Sequence, residues 1–333
     1  MVKTLQLCIY FFILICAVWN TRCGNNLNCN PPFNFYRYGR FGEIERYLKW
    51  VSYYYSDIAS LKTIGTTYEG RPIYVLVVDI DKNTIKKDYF IISGVHAREW
   101  IGVSSTLFFL NKLLNNISNN YNILYKYRLH IIPVVNPDGY EYSMLIDNHW
   151  RKNRSRRQCI RNGRVSDHCC IGVDLNRNFG FSFNRNADPF ECSESFNGYY
   201  PNSEAESSSL SRYALMIKPY IVVDFHAFGN LIIYPFASSN FYLPTSMNYL
   251  HVKGNNIKNE IKRKYNENYR CGLAREFLNY VVYGSSMDFY YGSVKAKYSY
   301  VVELGRHSFH PPIDNIELMG NIVYDMILMF GIE

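Results

Sequence analysis

Five short apolar runs divide the chain and carry its strongest structural signal. They are continuously apolar rather than alternating, and they are rich in β-branched and aromatic residues. Runs of this kind are typical of strands that are buried on both faces of a mostly parallel sheet. The pattern predicts strands over Arg71–Asp79, Tyr89–His96, Leu129–Asn136, Tyr220–His226 and Tyr298–Leu304.

Apolar residues recur with a helical period between these runs, so helices are expected to cover both faces of the sheet. Ser203 is expected to cap the third helix, with Glu204 and Glu206 in its first turn, where the helix dipole favours acidic residues. The segment Asn136–Gly139 has turn chemistry and directly follows a strand. The predicted helices cover Glu43–Ser60, Val103–Ile117, Ser203–Ile217, about Thr245–Tyr265 and Ile316–Phe330.

The first residues predict a cleaved secretory signal peptide. Lys3 precedes an apolar stretch from Leu5 to Trp19. At about 15 residues this stretch is too short to cross a bilayer, and a retained signal anchor is the alternative. We expect a signal peptide over 1–22, a short segment over 23–32 and one continuous domain over 33–333, because no repeat or linker interrupts the chain after residue 30. The mature protein is then expected to be secreted and extracellular, without stable membrane association.

Composition indicates a folded globular protein and excludes a wholly disordered chain. Of the 333 residues, 48% are hydrophobic and 19% are charged. The net charge is +8, and cations crowd the segment 151–164. Such a cluster is either a solvated face, a footprint for a polyanion such as nucleic acid, or a site for a substrate anion.

Cysteine usage suits an oxidising compartment. Of the nine cysteines, Cys8 and Cys16 fall within the predicted signal peptide, which leaves an odd number in the mature chain. Up to three bridges and one free thiol are then expected, and counting alone leaves their connectivity open. Two glycosylation sequons begin at Asn116 and Asn153, a short pattern that also occurs by chance.

Groups that can bind zinc or transfer protons lie near the carboxyl ends of three predicted strands. His96 ends one strand, His226 ends another, and Glu303 lies near the end of a third. Open α/β sheets bind ligands in the crevice outside these strand ends. Glu99 follows His96 by three residues, and catalytic zinc sites often combine two histidines with one glutamate. An isolated HxxE is weak evidence, but a purely structural sheet has no reason to assemble this set.

The chain resembles the zinc metallocarboxypeptidases of the pancreatic A and B type from about Phe33 to its C-terminus. The resemblance implies a single α/β domain with a mixed, mostly parallel, eight-stranded twisted sheet and helices on both faces. It also implies removal of C-terminal residues from peptides and proteins, one zinc ion as cofactor, a monomer, and no nucleic-acid partner. The motifs that carry it are YEGRPIYVL at 68–76, HAREW at 96–100, NPDGYEY at 136–142, WRKNR at 150–154, GVDLNRNF at 172–179, CSESFNGYYPNSEAE at 192–206, DFHAF at 224–228 and ELG at 303–305.

The resemblance also assigns the zinc chemistry. It makes His96, Glu99 and His226 the zinc ligands, and Asp174 the carboxylate that orients a liganding imidazole. A carboxylate behind an imidazole fixes its tautomer and raises its basicity. Glu303 is then the general base that takes a proton from the attacking water.

Substrate recognition is assigned in the same way. Asn176 and Arg177 match the pair that binds the terminal carboxylate, which a guanidinium can contact bidentately. Arg151 matches the arginine that polarises the scissile carbonyl and supports the oxyanion. Arg98 is expected to assist docking, and Tyr280 matches a mobile tyrosine that closes over the terminal residue.

Specificity is expected to depend on Met287, which aligns with the base of the family's specificity pocket. An aspartate there would select Lys or Arg, whereas methionine favours hydrophobic or aromatic terminal residues. The neighbouring Asp288 is expected to point elsewhere. Arg275 takes a rim position that is normally apolar, where it could attract acidic terminal residues.

The family bridge would join Cys170 to Cys192. Cys159 and Cys169 bracket a segment that is longer than the family usually carries, so a second bridge between them is expected, with Cys271 unpaired. Two other functions stay open, namely a secreted pseudoenzyme that binds peptides and a basic polyanion-binding protein. The complete catalytic set favours the enzyme, because a protein that only binds peptides has no need of it.

Overall fold

The computed structural model describes residues 30–156, 159–161, 164–165, 169–238, 247–278 and 280–332. The predicted signal peptide over 1–22 lies outside these residues, as does most of the segment 23–32. Within the described part of the chain, no helix has the length and apolarity needed to span a membrane. The elements are α1 (Phe41–Tyr54), β1 (Ala59–Thr66), β2 (Pro72–Val78), β3 (Lys87–Ser93), α2 (Trp100–Asn115), α3 (Tyr121–Lys126), β4 (Tyr127–Ile132), α4 (Pro137–Leu145), β5 (Ile160–Arg161), β6 (Arg164–Val165), a 3₁₀ turn (Leu175–Arg177), α5 (Ala205–Ile217), β7 (Ile221–Ala227), β8 (Leu231–Tyr234), α6 (Asn248–Tyr265), β9 (Arg270–Leu273), α7 (Ala274–Phe277), α8 (Ser286–Gly292), β10 (Tyr298–Leu304) and α9 (Asn315–Phe330).

Eight strands form one mixed sheet in the order β1-β2-β4-β3-β7-β10-β8-β9. The run from β4 through β3 and β7 to β10 is parallel, and β9 is parallel to β8. The pairs β1–β2, β2–β4 and β10–β8 are antiparallel. Every residue of β7 is buried, as its continuous apolar run predicts. The predicted fold class, a single α/β domain with a mostly parallel eight-stranded sheet, is confirmed.

Helices cover both faces of the sheet. The helices α1, α2, α6 and α9 bury apolar residues against one face, and α5 and α8 do so against the other. α2 and α9 pack closely, because Gly320 of α9 lies where an added Cβ would be 2.5 Å from the Phe108 ring of α2. This cover leaves the carboxyl ends of β3, β7 and β10 together at one edge of the sheet.

Two predictions about where helices end and begin are wrong. The helix predicted over Glu43–Ser60 ends at Tyr54, because the chain from Ala59 pairs with β2 as an edge strand. The segment Asn136–Gly139 starts the helix α4 instead of only turning. The Asn136 side chain accepts a hydrogen bond from the Gly139 backbone N–H at 2.9 Å, so it caps this helix.

The predicted cap of the third helix is also displaced by one residue. Glu204, not Ser203, stands at the N-cap of α5, and the Ser203 hydroxyl donates to the Glu204 carboxylate at 2.8 Å. Glu206 lies in the first turn, as predicted. The acidic start of this helix was therefore readable from the sequence, and its exact first residue was not.

Two disulfide bonds tie the loops beside the sheet edge. Cys159 is joined to Cys169 and Cys170 to Cys192, the pairs that the sequence favours. The short hairpin β5–β6 lies between the first two cysteines. Cys271 carries a free thiol.

Candidate metal centre and substrate cleft

Three neighbouring parallel strands bring the candidate residues to one edge of the sheet. After β3 the chain turns at Gly94, which has a φ of +67° and where an added Cβ would lie 3.1 Å from a backbone carbonyl oxygen. His96 therefore follows its strand in a turn instead of ending it, and Glu99 is the N-cap residue of α2. His226 of β7 lies opposite Glu303 of β10 in the parallel register.

Two imidazoles and one carboxylate converge in the buried centre of this edge. The Nδ1 atoms of His96 and His226 are 3.0 Å apart. Glu99 reaches both of them, with Oε1 2.7 Å from the Nδ1 of His96 and Oε2 2.9 Å from the Nδ1 of His226. All three residues are at most 3% exposed, and they form the one cluster with metal-ligand geometry within the described residues.

A carboxylate stands behind each imidazole. Asp174 Oδ1 is 3.1 Å from His96 Nε2, and Asp224 Oδ2 is 3.2 Å from His226 Nε2. An Nε2 atom that faces a carboxylate carries the proton, which leaves the Nδ1 lone pair free as a metal ligand. Two such lone pairs and a carboxylate directed at one point are a donor set that suits Zn²⁺.

The charges around the centre also favour a dication. Burial alone would raise the pKa of Glu99, but the nearby His96 and His226 lower it below its ordinary value. Burial likewise opposes ionisation of Asp174, yet the Arg151 and Arg177 guanidiniums hold its pKa well below the usual range. Carboxylates that stay ionised in a dry site need cations as partners.

The pKa of Glu303 is shifted in the opposite direction from those of Glu99 and Asp174. Burial, followed by the charge of Glu99, raises its pKa to about 8, against the opposing effect of His226 and Arg151. Glu303 therefore differs from the ligand carboxylate beside it in its affinity for a proton. Neighbouring carboxyl groups whose pKa values are shifted in opposite directions are typical of sites for acid–base chemistry.

Arg151 connects the centre to the cleft. Its Nη2 and Nε atoms donate to Asp174 Oδ2 at 2.8 and 3.1 Å. Its Nη1 atom lies 3.3 Å from the Nδ1 of His96 and 3.9 Å from Glu99 Oε1. The guanidinium is thus fixed by one carboxylate on one side and directed at the candidate metal centre on the other.

Asn176 and Arg177 lie in the 3₁₀ turn that follows Asp174. The Asp174 side chain accepts from the Asn176 backbone N–H at 2.9 Å and so caps this turn. Arg177 Nη1 lies 3.9 Å from Asp174 and donates to the backbone carbonyl of Asn176 at 2.9 Å. Asn176 Oδ1 accepts the backbone N–H of Ser286 at 2.8 Å, which ties the turn to α8.

Arg98 is held away from the metal ligands. Its Nη1 donates to both carboxylate oxygens of Glu194, at 3.0 and 3.1 Å, and to the His149 carbonyl at 3.0 Å. The guanidinium also lies 4.2 Å from the centre of the Phe309 ring. Contact with a substrate would therefore compete with an existing ion pair.

The two residues assigned to the terminal side chain lie in different surroundings. Tyr280 is 58% exposed, whereas Met287 is 3% exposed. Asp288 accepts the backbone N–H groups of Ala237 and Ser238 at 2.9 Å, so its carboxylate is already bound. Met287 belongs to an apolar cluster whose other buried members are Leu231, Ile233, Ala237, Ala274, Val282 and Val301.

Sequence reasoning missed Asp224 and Ser286. Asp224 precedes His226 by two residues in a strand, so both side chains lie on the same face of the sheet. That spacing was a usable signal for a second imidazole–carboxylate pair. The hydrogen bond of 2.9 Å from Ser286 Oγ to Asp224 Oδ2 spans 62 residues, and no local pattern indicates it.

The fold and the donor set define a candidate metal site, and comparison with known proteins identifies the class of protein. Residues 44–325 match the family model of the zinc carboxypeptidases, and the chain belongs to this family. It is 31% identical over 294 residues to carboxypeptidase O of Bos taurus, an alignment that covers 86% of this chain and 76% of that protein. The protein is therefore a metallocarboxypeptidase, from a family that uses zinc and acts on peptide C-termini.

Two further similarities are to a relative that is named inactive and to a solved structure. The chain is 30% identical over 316 residues to the inactive metallocarboxypeptidase ECM14 of Saccharomyces cerevisiae, covering 90% of this chain and 71% of that protein. Among solved structures, thrombin-activatable fibrinolysis inhibitor superposes with a TM-score of 0.83 at 26% identity, covering 95% of this chain and 79% of that one.

Proposed function

We propose that the protein is a secreted carboxypeptidase that holds one zinc ion between His96, Glu99 and His226 and removes hydrophobic or aromatic C-terminal residues. The observation that carries the proposal is the convergence of the two Nδ1 atoms and the Glu99 carboxylate. A carboxylate also faces the Nε2 atom of each imidazole. Glu303 is the proposed general base.

The proposed mechanism divides the work among buried groups. Zinc held by His96, Glu99 and His226 would supply Lewis acidity and would make a nearby water easier to deprotonate. Glu303 accepts the proton of the attacking water and returns it to the leaving amine, as a carboxyl group that readily takes up a proton can. Arg151 donates to the scissile carbonyl oxygen, where negative charge develops, and Asp174 keeps its guanidinium in place.

The terminal carboxylate is assigned to Asn176 and Arg177. Arg177 is cationic and preset by its bond to the Asn176 carbonyl, and the Asn176 amide nitrogen can donate while its oxygen remains on Ser286. Recognition of a free carboxylate by a fixed cation is what makes an exopeptidase. A blocked C-terminus would leave this cation without its partner.

The apolar cluster around Met287 supports a preference for hydrophobic side chains. Burial of one large apolar side chain contributes on the order of 1.5–3 kcal/mol. A lysine placed there would be buried without a counter-charge, because Asp288 is bound to backbone N–H groups. Arg275 lies in α7 next to Ala274 of this cluster, and a preference for acidic residues through Arg275 is the competing hypothesis.

The polyanion-binding alternative is weakened by the described part of the basic cluster. Arg151 is bound to Asp174, and Lys152 donates to a backbone carbonyl at 2.7 Å. The Arg154 guanidinium lies 3.6 Å from the centre of the Tyr142 ring and is buried. These three cations therefore bind protein groups and do not form an open surface for a polyanion, whereas the neighbouring Arg156 is exposed.

The peptide-binding alternative is tested directly by an assay with paired peptides. Purified protein is incubated with a peptide that has a free C-terminus and with the same peptide amidated, each with and without a chelator. We expect release of one residue from the free peptide only, abolished by the chelator and restored by zinc. Binding of the free peptide without release would support a pseudoenzyme, as the yeast relative's name indicates for that protein.

A further inference from the structure

We propose that Asp224 is a positioning residue that couples the metal ligand His226 to Asn176, the residue assigned to the terminal carboxylate. The inference deepens the proposed function and rests on it. The Asp224 carboxylate is 1% exposed, so its charge is not stabilised by solvent. Its Oδ2 atom is shared between His226 Nε2 at 3.2 Å and Ser286 Oγ at 2.9 Å.

Ser286 is the link to the substrate side of the cleft. It is the first residue of α8, and its backbone N–H donates to Asn176 Oδ1 at 2.8 Å. One residue therefore holds Asp224 with its hydroxyl and Asn176 with its backbone. His226 contacts Asp224 as an ion pair, and hydrogen bonds continue from Asp224 to Ser286 and from Ser286 to Asn176. All of these residues are buried except Asn176, which is partly exposed.

The opposite side of the centre has the same arrangement. Asp174 binds His96 Nε2 and at the same time holds Arg151, the residue assigned to the scissile carbonyl. Each ligand imidazole is thus backed by a carboxylate that also fixes one substrate-binding residue. Among the described residues, neither Asp224 Oδ1 nor His226 Nε2 has a hydrogen-bond partner, so Asp224 is held by the hydrogen bond from Ser286 and by the ion-pair contact with His226 at 3.2 Å.

This arrangement predicts that loss of the Asp224 charge weakens zinc binding. An acceptor behind a ligand imidazole typically contributes about 10- to 100-fold to metal affinity. The test is the zinc dissociation constant of the full chain, measured by chelator competition at one fixed pH. We expect Asp224→Asn to bind zinc about 10- to 100-fold more weakly than the wild type.

A matched control lies at the other end of the sheet. Asp88 is a second carboxylate that faces a buried histidine, with Oδ1 2.7 Å from His130 Nε2, and it lies near the start of β3. Asp88→Asn makes the same chemical change away from the cleft, and its zinc affinity should equal that of the wild type. Equal zinc affinity in Asp224→Asn and the wild type would overturn the inference.

Ser286→Ala tests the coupling and also covers the case in which Asp224→Asn fails to fold. It removes one hydrogen bond to Asp224 and retains the backbone N–H to Asn176. We expect zinc affinity to fall by about 3- to 10-fold, the effect of one hydrogen bond, and KM to rise more than kcat falls. Unchanged zinc affinity and an unchanged KM would contradict the coupling. If the wild type itself binds no zinc, the proposed function fails instead.

A second site is independent of the cleft. We infer that Asn116 carries an N-linked glycan when the chain passes through a eukaryotic secretory pathway, which rests on the proposed export. Asn116 and Ser118 of the sequon are exposed, and within the described residues the Asn116 Nδ2 donates only to the Lys112 carbonyl of α2, at 3.3 Å. Asn116 follows α2, whose 16 residues place it about 24 Å from the end that carries Glu99.

The other sequon is an internal contrast. Asn153 is fully buried, and both hydrogens of its amide are used, on Glu204 Oε2 at 2.9 Å and Glu206 Oε2 at 3.1 Å. Its Oδ1 accepts the Val173 N–H at 2.8 Å. A glycan on this nitrogen could not be accommodated in the folded protein, whereas one on Asn116 would extend into solvent.

The modification is a balanced group transfer. Asn116 Nδ2 forms a bond to C1 of an oligosaccharide carried on a lipid pyrophosphate. The bond from C1 to the pyrophosphate breaks, the lipid pyrophosphate leaves, and the amide loses one proton.

The full chain is expressed in a eukaryotic secretory host behind a signal peptide known to direct export, and the glycosylated positions are mapped by mass spectrometry after enzymatic deglycosylation. We expect a glycan at Asn116 and an unmodified Asn153, and Ser118→Ala should remove the glycan without changing zinc affinity. Secreted protein with an unmodified Asn116, or with a glycan on Asn153, would overturn the assignment.

Discussion

Burial determines the proton affinity of Glu303 more than any neighbouring charge does. The pKa of about 8 reflects first the loss of solvent and then the nearby Glu99 carboxylate. We expect Glu303→Gln to keep the zinc and the fold, because the amide is isosteric, and to lose about 10²- to 10⁴-fold in kcat, because it cannot accept a proton. The measurement is kcat at saturating substrate, with zinc content and Tm recorded for the same preparation.

Glu206 offers a matched control for this variant. It is a second buried glutamate whose pKa is raised to about 8, and it lies in the first turn of α5 and accepts a hydrogen bond from Asn153. Glu206→Gln should retain wild-type turnover. Equal kcat in Glu303→Gln and the wild type would show that another group is the base.

Glu206 should also give folding a distinct dependence on pH. Burial, and then the charge of Glu204, raises its pKa from an ordinary 4.5 to about 8. Between these values the folded state binds more protons than the unfolded state, so the free energy of unfolding falls as pH rises from about 4.5 to 8. Each unit of pH in this window costs up to about 1.4 kcal/mol.

Denaturant unfolding of the wild type and Glu206→Gln at pH 5, 6, 7 and 8 isolates this contribution. The variant should gain stability relative to the wild type with each step, because glutamine mimics the protonated carboxyl and does not titrate. A difference in free energy of unfolding that is constant across this range would contradict the shifted pKa.

Individual site residues were predictable where the end of a strand or a short motif indicated them. His96, Glu99 and His226 were selected from their positions near strand ends, and the structure brings them together at one point. The ion pair of Arg98 with Glu194 was not predictable, because the partners are 96 residues apart and neither lies in a helix or a strand. Asp224 could have been found from its spacing to His226, and Ser286 could not.

At the scale of elements, the sequence predicted the long apolar strands and missed one largely exposed edge strand and two strands of four residues. The central strands are continuous apolar runs, and all five that were predicted exist. β1 is an edge strand with mostly partly or fully exposed residues, and β8 and β9 have only four residues each. Their pairing depends on neighbours distant in the chain, so local periodicity does not indicate them.

The two disulfides give a prediction at this scale. Non-reducing peptide mapping of the secreted protein should recover Cys159 with Cys169 and Cys170 with Cys192. Loss of Cys170–Cys192 should cost about 3 kcal/mol of stability, and it should also lower activity, because the loop it closes contains Asp174 and Asn176. A peptide that joins Cys159 to Cys192 would exclude this arrangement.

Loss of the other bridge serves as the control for that effect. The Cys159–Cys169 bridge closes only the segment with the hairpin β5–β6. The double variant Cys159→Ser, Cys169→Ser should lose stability with little change in kcat/KM. The two bridges thus separate a loop that supports the cleft from one that does not.

At the scale of the whole molecule, the cleft is assembled from segments that are far apart in the chain. The candidate metal ligands come from the turn after β3, the start of α2 and β7, while Glu303 comes from β10. The apolar cluster around Met287 adds residues of β8, α7 and α8. The resemblance predicted this assembly because several of its motifs, such as HAREW, DFHAF and ELG, contain or directly follow the carboxyl end of a strand. The state of the side chains between the motifs, such as the occupied carboxylate of Asp288, required the structure.

The residues that line the proposed pocket should determine which C-terminal residue is removed, and substitution of Met287 tests this. The wild type should favour substrates that end in Phe or Leu over those that end in Lys or Glu by about 10- to 100-fold in kcat/KM, the effect of burying one large apolar side chain. Met287→Asp should shift the preference toward Lys and Arg by placing an unpaired carboxylate at the base of the pocket, and Met287→Leu should preserve the original order. A wild-type preference for Lys would refute the assignment of Met287. A preference for Glu that disappears in Arg275→Gln would instead make Arg275 the specificity determinant, since only a cation at the pocket could stabilise a buried carboxylate there.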